Sequence, residues 1–185
     1  MIYKIYAYGT PVLRKIADEI DQDDPELSSM IENLYETMYK SDGVGLAAPQ
    51  AGISKRIFVI DAEPMAEDDK ELHGFKKVFI NPVIEDERGE EWLYNEGCLS
   101  LPGIREDVKR KAEITISYYD ENFNFFEEKY DGMKARIIQH EYDHLEGIVF
   151  TDRLSPLRKR MLKKQLLAIS KGKVDVNYKM KFPGN

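Results

Sequence analysis

The run Gln139-His140-Glu141-Tyr142-Asp143-His144-Leu145-Glu146-Gly147 has residue types and spacing suited to metal-assisted hydrolysis. On a helix, side chains four residues apart stack on one face, so His140 and His144 can aim two imidazoles at one ion. Glu141 follows the first imidazole and can face a water there as general base, the arrangement of the H-E-x-x-H motif. The motif needs a helix, and the flanking residues predict one. Asp131 stands where an N-cap would, Met133, Ile137, Ile138, Tyr142 and Leu145 recur at helical spacing, and Gly147 is placed to stop it. A catalytic site of this kind usually takes three protein ligands and keeps one position open. No histidine follows His144; Glu146 sits too close on the same helix, and Asp152 and Asp175 are weak candidates. The sole cysteine, Cys98, lies upstream in Asn95 to Gly103. A lone cysteine is more often a small buried hydrophobe than a ligand, so residue types alone leave the third ligand open.

The rest of the chain must position that helix. At 185 residues it predicts one domain with a well-buried core, residues 1–185. Apolar residues make up 42% and charged residues 33%, the balance of a soluble globular protein. A net charge of -7 argues against a generic nucleic-acid or membrane-surface binder. The N-terminus has no signal-peptide pattern and no apolar run is long enough to span a bilayer, so we expect a cytoplasmic protein without a membrane partner. One cysteine permits no internal disulfide.

A first helix is expected over Pro25 to Lys40, capped by Asp24, with Leu27, Met30, Ile31, Leu34, Tyr35 and Met38 inward. It opens into Gly43-Val44-Gly45-Leu46-Ala47-Ala48-Pro49-Gln50, where small residues let backbone approach a ligand and Gln50 offers an amide. Strands are expected at Arg56 to Asp61, Lys77 to Glu85 and Trp92 to Tyr94, with an exposed acidic loop over Ala62 to Gly74 in which His73 does ordinary surface chemistry. Ala112 to Tyr119 and Phe123 to Tyr130 predict a hairpin leading into the metal helix. Ser155 and Pro156 start a last helix at about 155–171, with Leu157, Met161, Leu166, Leu167 and Ile169 inward. Its outer face carries Arg158, Lys159, Arg160, Lys163 and Lys164, a solvated face or a dock for RNA. Residues 174–185 form a final strand or a flexible tail. Separate strands and long helices make the class α+β rather than regular βαβ winding.

Three segments together resemble the motifs of the peptide deformylase family: Gly43 to Gln50, Glu96-Gly97-Cys98-Leu99-Ser100, and Gln139 to His144, in that order and widely separated. The resemblance covers most of the chain from about Thr10 to Arg153, and the basic last helix is similar to the bacterial subtype that ends in a helix. It implies antiparallel β-sheets wrapped around a central helix carrying the metal motif. It also implies a hydrolase that removes the N-formyl group from the N-terminal methionine of new polypeptides and releases formate. By resemblance Cys98, His140 and His144 bind one divalent metal ion, with Fe(II) favoured over Zn(II) or another divalent transition metal. Glu141 would then be the base, with the Gln50 side chain and the Leu99 backbone N–H as oxyanion donors. An extended formyl-methionyl nascent peptide would lie along Gly43 to Leu46 and Gly97 to Leu99, touching Val44, Gly45 and Gly97. Its methionine would enter a pocket of Val44, Leu99, Met133 and Ile137, with Arg105 approaching the substrate; Arg136 departs from the family by standing where relatives often carry an apolar residue, at the outer wall of the pocket. Glu96 and Arg110 would pair beneath the site, and the basic last helix would dock on the ribosome. Two other readings stay open: an H-E-x-x-H metallopeptidase with a ligand other than Cys98, and a non-catalytic ribosome-associated module.

Overall fold

Alternation along one short strand shows how the fold is layered. In β3 (Ile57–Asp61), Phe58 and Ile60 pack with α2 (Gly132–Leu145) while Ile57 and Val59 pack with α1 (Leu27–Lys40). The computed structural model describes residues 1–184. Its five-stranded antiparallel sheet has the order β2 (Gly45–Ala47), β3, β4 (Lys76–Gly97), β5 (Arg105–Tyr119), β6 (Phe125–Asp131). The metal-motif helix thus lies on one face of this sheet and α1 on the other. This is the expected α+β architecture, with the H-E-x-x-H helix held centrally by antiparallel strands.

On the α2 side the core includes Phe58, Phe79, Ile114, Ile116 and Tyr118 from the sheet and Ile137, Ile138 and Leu145 from the helix. The Phe58 and Phe79 rings stack with centroids 4.8 Å apart. The β5–β6 hairpin runs directly into α2, as the alternation predicts. Asp131 makes no side-chain cap, however; Gly132 takes the left-handed backbone, φ 53°, that turns the strand into the helix. Gly147, at φ 72°, follows the last turn.

Several boundaries differ from the sequence expectation. The first helix begins at Leu27 rather than Pro25, although Asp24 does accept a bond from the Glu26 N–H at 2.9 Å. The strands expected at Lys77 to Glu85 and Trp92 to Tyr94 are one strand, β4. Pro82, after Asn81 at positive φ, breaks the alternation, and the register with β5 shifts at Ile80/Val83, Ile84/Asp86 and Arg88/Glu91. The acidic Ala62 to Gly74 segment contains two short 3-10 turns and buries Ala62 and Leu72, while His73 is exposed and bonded to Glu63.

The last helix, α3 (Pro156–Ser170), is capped by the Ser155 hydroxyl. Its inner face is Leu162, Leu166 and Ile169, seated on Leu101, Ile104, Val149 and Phe150. Leu157, Met161 and Leu167, expected inward, are 64%, 62% and 51% exposed, because the i, i+4, i+7 stripe from Leu162 fixes the rotation of the helix. The tail returns across the molecule, and β7 (Met180–Lys181) pairs in parallel with β1 (Ile5–Tyr6).

Candidate metal centre

Successive turns of α2 bring His140 and His144 to one face, their ring centroids 5.3 Å apart. Cys98 comes from the turn after β4, and its sulfur lies 3.4 Å from His144 Nε2. One ligand atom from each of Cys98, His140 and His144 falls within 4.8 Å of the others. A thiol and two imidazoles so placed fit a tetrahedral Zn(II) or Fe(II) ion. The weaker candidates are committed elsewhere: Glu146 pairs with Arg56 at 2.6 Å and Asp152 with Arg14 at 2.5 Å.

In the metal-free protein the two imidazoles are pushed in opposite directions. His140 Nδ1 lies 2.8 Å from Glu96 Oε1, leaving Nε2 to face the centre. Burial alone would discharge His140, but its bonds with Cys98 and Glu96 outweigh that and raise its pKa to about 10. Burial, together with repulsion from His140, pushes His144 well below the ordinary value and keeps it neutral.

Glu96 is the hub beneath the site. Arg110 grips it with two bonds, 2.7 and 2.9 Å, and Arg136 adds a third at 2.9 Å. Arg110 also reaches Asp143 at 2.8 Å, and Asp143 is held in turn by Arg153. Burial opposes the charge on Glu96, but hydrogen bonds from His140 and Arg110 hold its pKa far below the usual carboxylate range. Arg136 lines the cavity over the site and is anchored inward: it is 2% exposed, bonded to Val108 O and Trp92 O, with its guanidinium 4.4 Å from the Trp92 ring centroid.

Glu141 stands apart from this network. It is 5% exposed, its Oε2 is buried without a partner, and burial raises its pKa to about 7. A buried carboxylate oxygen left unpaired, beside three atoms that could ligate a metal, has the placement of a group that handles a reacting proton. Gly45 runs against it; a Cβ there would lie 2.7 Å from Glu141 Oε1. Gln50 lies in the 3-10 turn after β2. Its Oε1 accepts the Ala47 N–H at 3.0 Å, which aims its NH2 at Cys98 Sγ and Ser100 Oγ, each 3.4 Å away.

A cavity of about 650 Å³ opens over these groups. Val44, Gly45, Gln50, Gly97, Leu99, Arg105, Met133 and Ile137 all line it, with Cys98, His140 and Glu141 at its floor. Arg105 is held to Asn95 by bonds of 2.9 and 2.7 Å, so it forms a fixed part of the rim. Sequence reasoning missed Val176 and Tyr178, which reach the same cavity from the tail, and weighed Asp175 beside them only as a weak ligand candidate. The signal was available in the strand-like alternation Val174, Val176, Tyr178, Met180, read only as an optional strand.

A family model described as polypeptide deformylase matches residues 2–160. A peptide deformylase of Christiangramia forsetii is 55% identical over 190 residues, covering 99% of this chain and 97% of its own. One from Flavobacterium johnsoniae is 53% identical, covering 98% of this chain and 96% of its own. Among solved structures, the peptide deformylase of Thermus thermophilus superposes with a TM-score of 0.82 at 40% identity, covering 93% of this chain and 99% of that one.

Proposed function

The chain belongs to the peptide deformylase family and is a hydrolase that takes the formyl group off new polypeptides; on that premise we propose that Cys98, His140 and His144 hold its metal ion and that Glu141 moves the proton. The observation that carries this reading is the unpartnered, buried Glu141 oxygen beside three ligand atoms within 4.8 Å of one another. The family is metal-dependent. When bound, the metal supplies positive charge that polarises the formyl oxygen and acidifies the attacking water. We assign Fe(II) as the native metal, a centre that loses activity in air as iron or its thiolate ligand oxidises.

Glu141 takes the proton of the water that attacks the formyl carbon and returns it to the departing α-amine. A carboxylate whose pKa burial brings to about 7 is matched to both transfers near neutral pH. Negative charge developing on the formyl oxygen meets the Gln50 amide and the Leu99 N–H, donors set before the reaction. The free edge of β2 supports an extended substrate adding as a further strand, with little demand on sequence beyond the first residue. Its methionine side chain enters the apolar part of the cavity at Val44, Leu99, Met133 and Ile137. We place the enzyme in the cytoplasm, where nascent chains emerge, with the basic face of α3 as an accessory dock for ribosomal RNA.

Metal analysis of protein purified without air tests the centre. We expect one Fe per chain, lost in Cys98→Ser. Stoichiometric metal retained in that variant would remove Cys98 from the ligand set and reopen the peptidase reading.

A further inference from the structure

The turn that carries Cys98 and Leu99 is tied down one carbonyl at a time. Cys98 O accepts the Leu101 N–H at 3.0 Å, Ser100 O accepts the Tyr8 N–H at 2.9 Å, and Leu101 O accepts the Ile104 N–H at 3.3 Å. Among the described residues the Leu99 carbonyl has no such backbone partner; it accepts the Tyr178 hydroxyl at 2.9 Å. Tyr178 stands well beyond the segment that the family model matches, which ends at residue 160.

The tail that brings Tyr178 there is anchored on both sides. Val174, Val176, Tyr178 and Met180 are half-buried, alternating with exposed Lys173, Asp175, Asn177 and Lys179, so one face of the segment turns inward, and the backbone bends at Asn177 and Tyr178. Val174, Met180 and Phe182 pack on the cluster that seats α3. Ile5 donates to Lys179 O and Ala7 to Lys181 O, both at 2.9 Å. Residues 5–8 therefore hold the tail and, through Tyr8, the Cys98 turn. Tyr178 closes that frame directly onto Leu99.

We propose that Tyr178 is a positioning residue for deformylation: its hydroxyl fixes the Leu99 carbonyl, and so the backbone whose N–H meets the formyl oxygen. The proposal rests on Leu99 N–H being an oxyanion donor. A donor aids the transition state only if it is oriented beforehand, because reorienting it during reaction consumes the stabilisation it gives. The Cys98, Ser100 and Leu101 carbonyls in this turn are held by backbone N–H groups, whereas the Leu99 carbonyl is held by the tail.

The test uses the metal-loaded full chain with formyl-Met dipeptide. Tyr178→Phe removes one hydroxyl and keeps the ring. We expect kcat to fall about tenfold with KM within about twofold and metal content unchanged. Amide exchange should quicken at Leu101, whose N–H closes the turn on Cys98 O, while Ile5 and Ala7, which report the docked tail, stay protected. Lys179→Ala, an exposed tail change, should match the parent. In a second protein the Leu99 amide is replaced by an ester through its α-hydroxy acid, deleting the N–H alone; kcat should drop about a hundredfold, and adding Tyr178→Phe should cost nothing more. An unchanged kcat in Tyr178→Phe, with the ester protein slow, overturns the positioning role and leaves Leu99 as donor. A fast ester protein overturns both. Loss of protection at Ile5 and Ala7 in Tyr178→Phe would make Tyr178 a packing residue and also overturn the proposal.

Discussion

Glu141 occupies a place that does not favour a carboxylate. Its folded pKa of about 7 lies above the ordinary unfolded value of about 4.3, so ionising it opposes folding. Below the unfolded value the group is neutral in both states and contributes nothing. As pH rises through the interval the penalty grows, and above the folded value it is constant. In metal-free protein, Glu141→Gln should therefore gain on the parent between about pH 4 and 7 and remain roughly 3–4 kcal/mol more stable at pH 8. Denaturant unfolding at the two ends of that range checks this; a stability difference that does not change with pH would contradict it. The same substitution should abolish turnover, since a stabilised variant that no longer works is what a strained functional residue predicts. Gln50, by contrast, is fully satisfied. Gln50→Ala should keep the metal and lower kcat by about a hundredfold to a thousandfold, and unchanged kcat would take it out of the oxyanion role.

At the scale of elements, Glu96 joins the end of β4 to β5 through Arg110 and to α2 through Arg136 and His140. Glu96→Gln leaves two buried guanidiniums short of charge and should cost about 3–5 kcal/mol in urea unfolding, with weaker metal retention. A variant as stable as the parent would show the cluster to be dispensable. Elements marked by local chemistry were legible in the sequence. The α2 motif, the hairpin before it, and the Ser155-Pro156 start of α3 all follow from spacing and caps. Those decided by tertiary packing were less so. β4 was split because Pro82 and the register shifts interrupt its alternation, although the strand continues through them. The inner face of α3 was misassigned because its weakly amphipathic sequence left rotation to the third core cluster, which selects Leu162 over Leu157 and Met161. Nothing local to Arg136 announces that Glu96, forty residues away in sequence, neutralises it.

For the whole molecule, an acidic chain with net charge -7 exposes Lys159, Arg160, Lys163 and Lys164 close together on α3. Arg158 is engaged with Glu106, so the free cations are the better test. Reversing Lys159, Lys163 and Lys164 should remove salt-sensitive sedimentation with ribosomes while formyl-Met dipeptide hydrolysis in solution stays normal. Unaltered sedimentation would assign that face to solvent alone. The fold delivers the groups proposed to react from distant parts of the chain, with Gln50 after β2, Cys98 after β4 and His140, Glu141 and His144 on α2, around one cavity. The most direct measurement is formate release from formyl-Met dipeptide by protein purified without air and loaded with Fe(II), beside acetyl-Met dipeptide and Glu141→Ala. Rapid release from the formyl substrate only, lost in the variant with metal still bound, is the predicted result; full release by Glu141→Ala, or none by the metal-loaded parent, would contradict it.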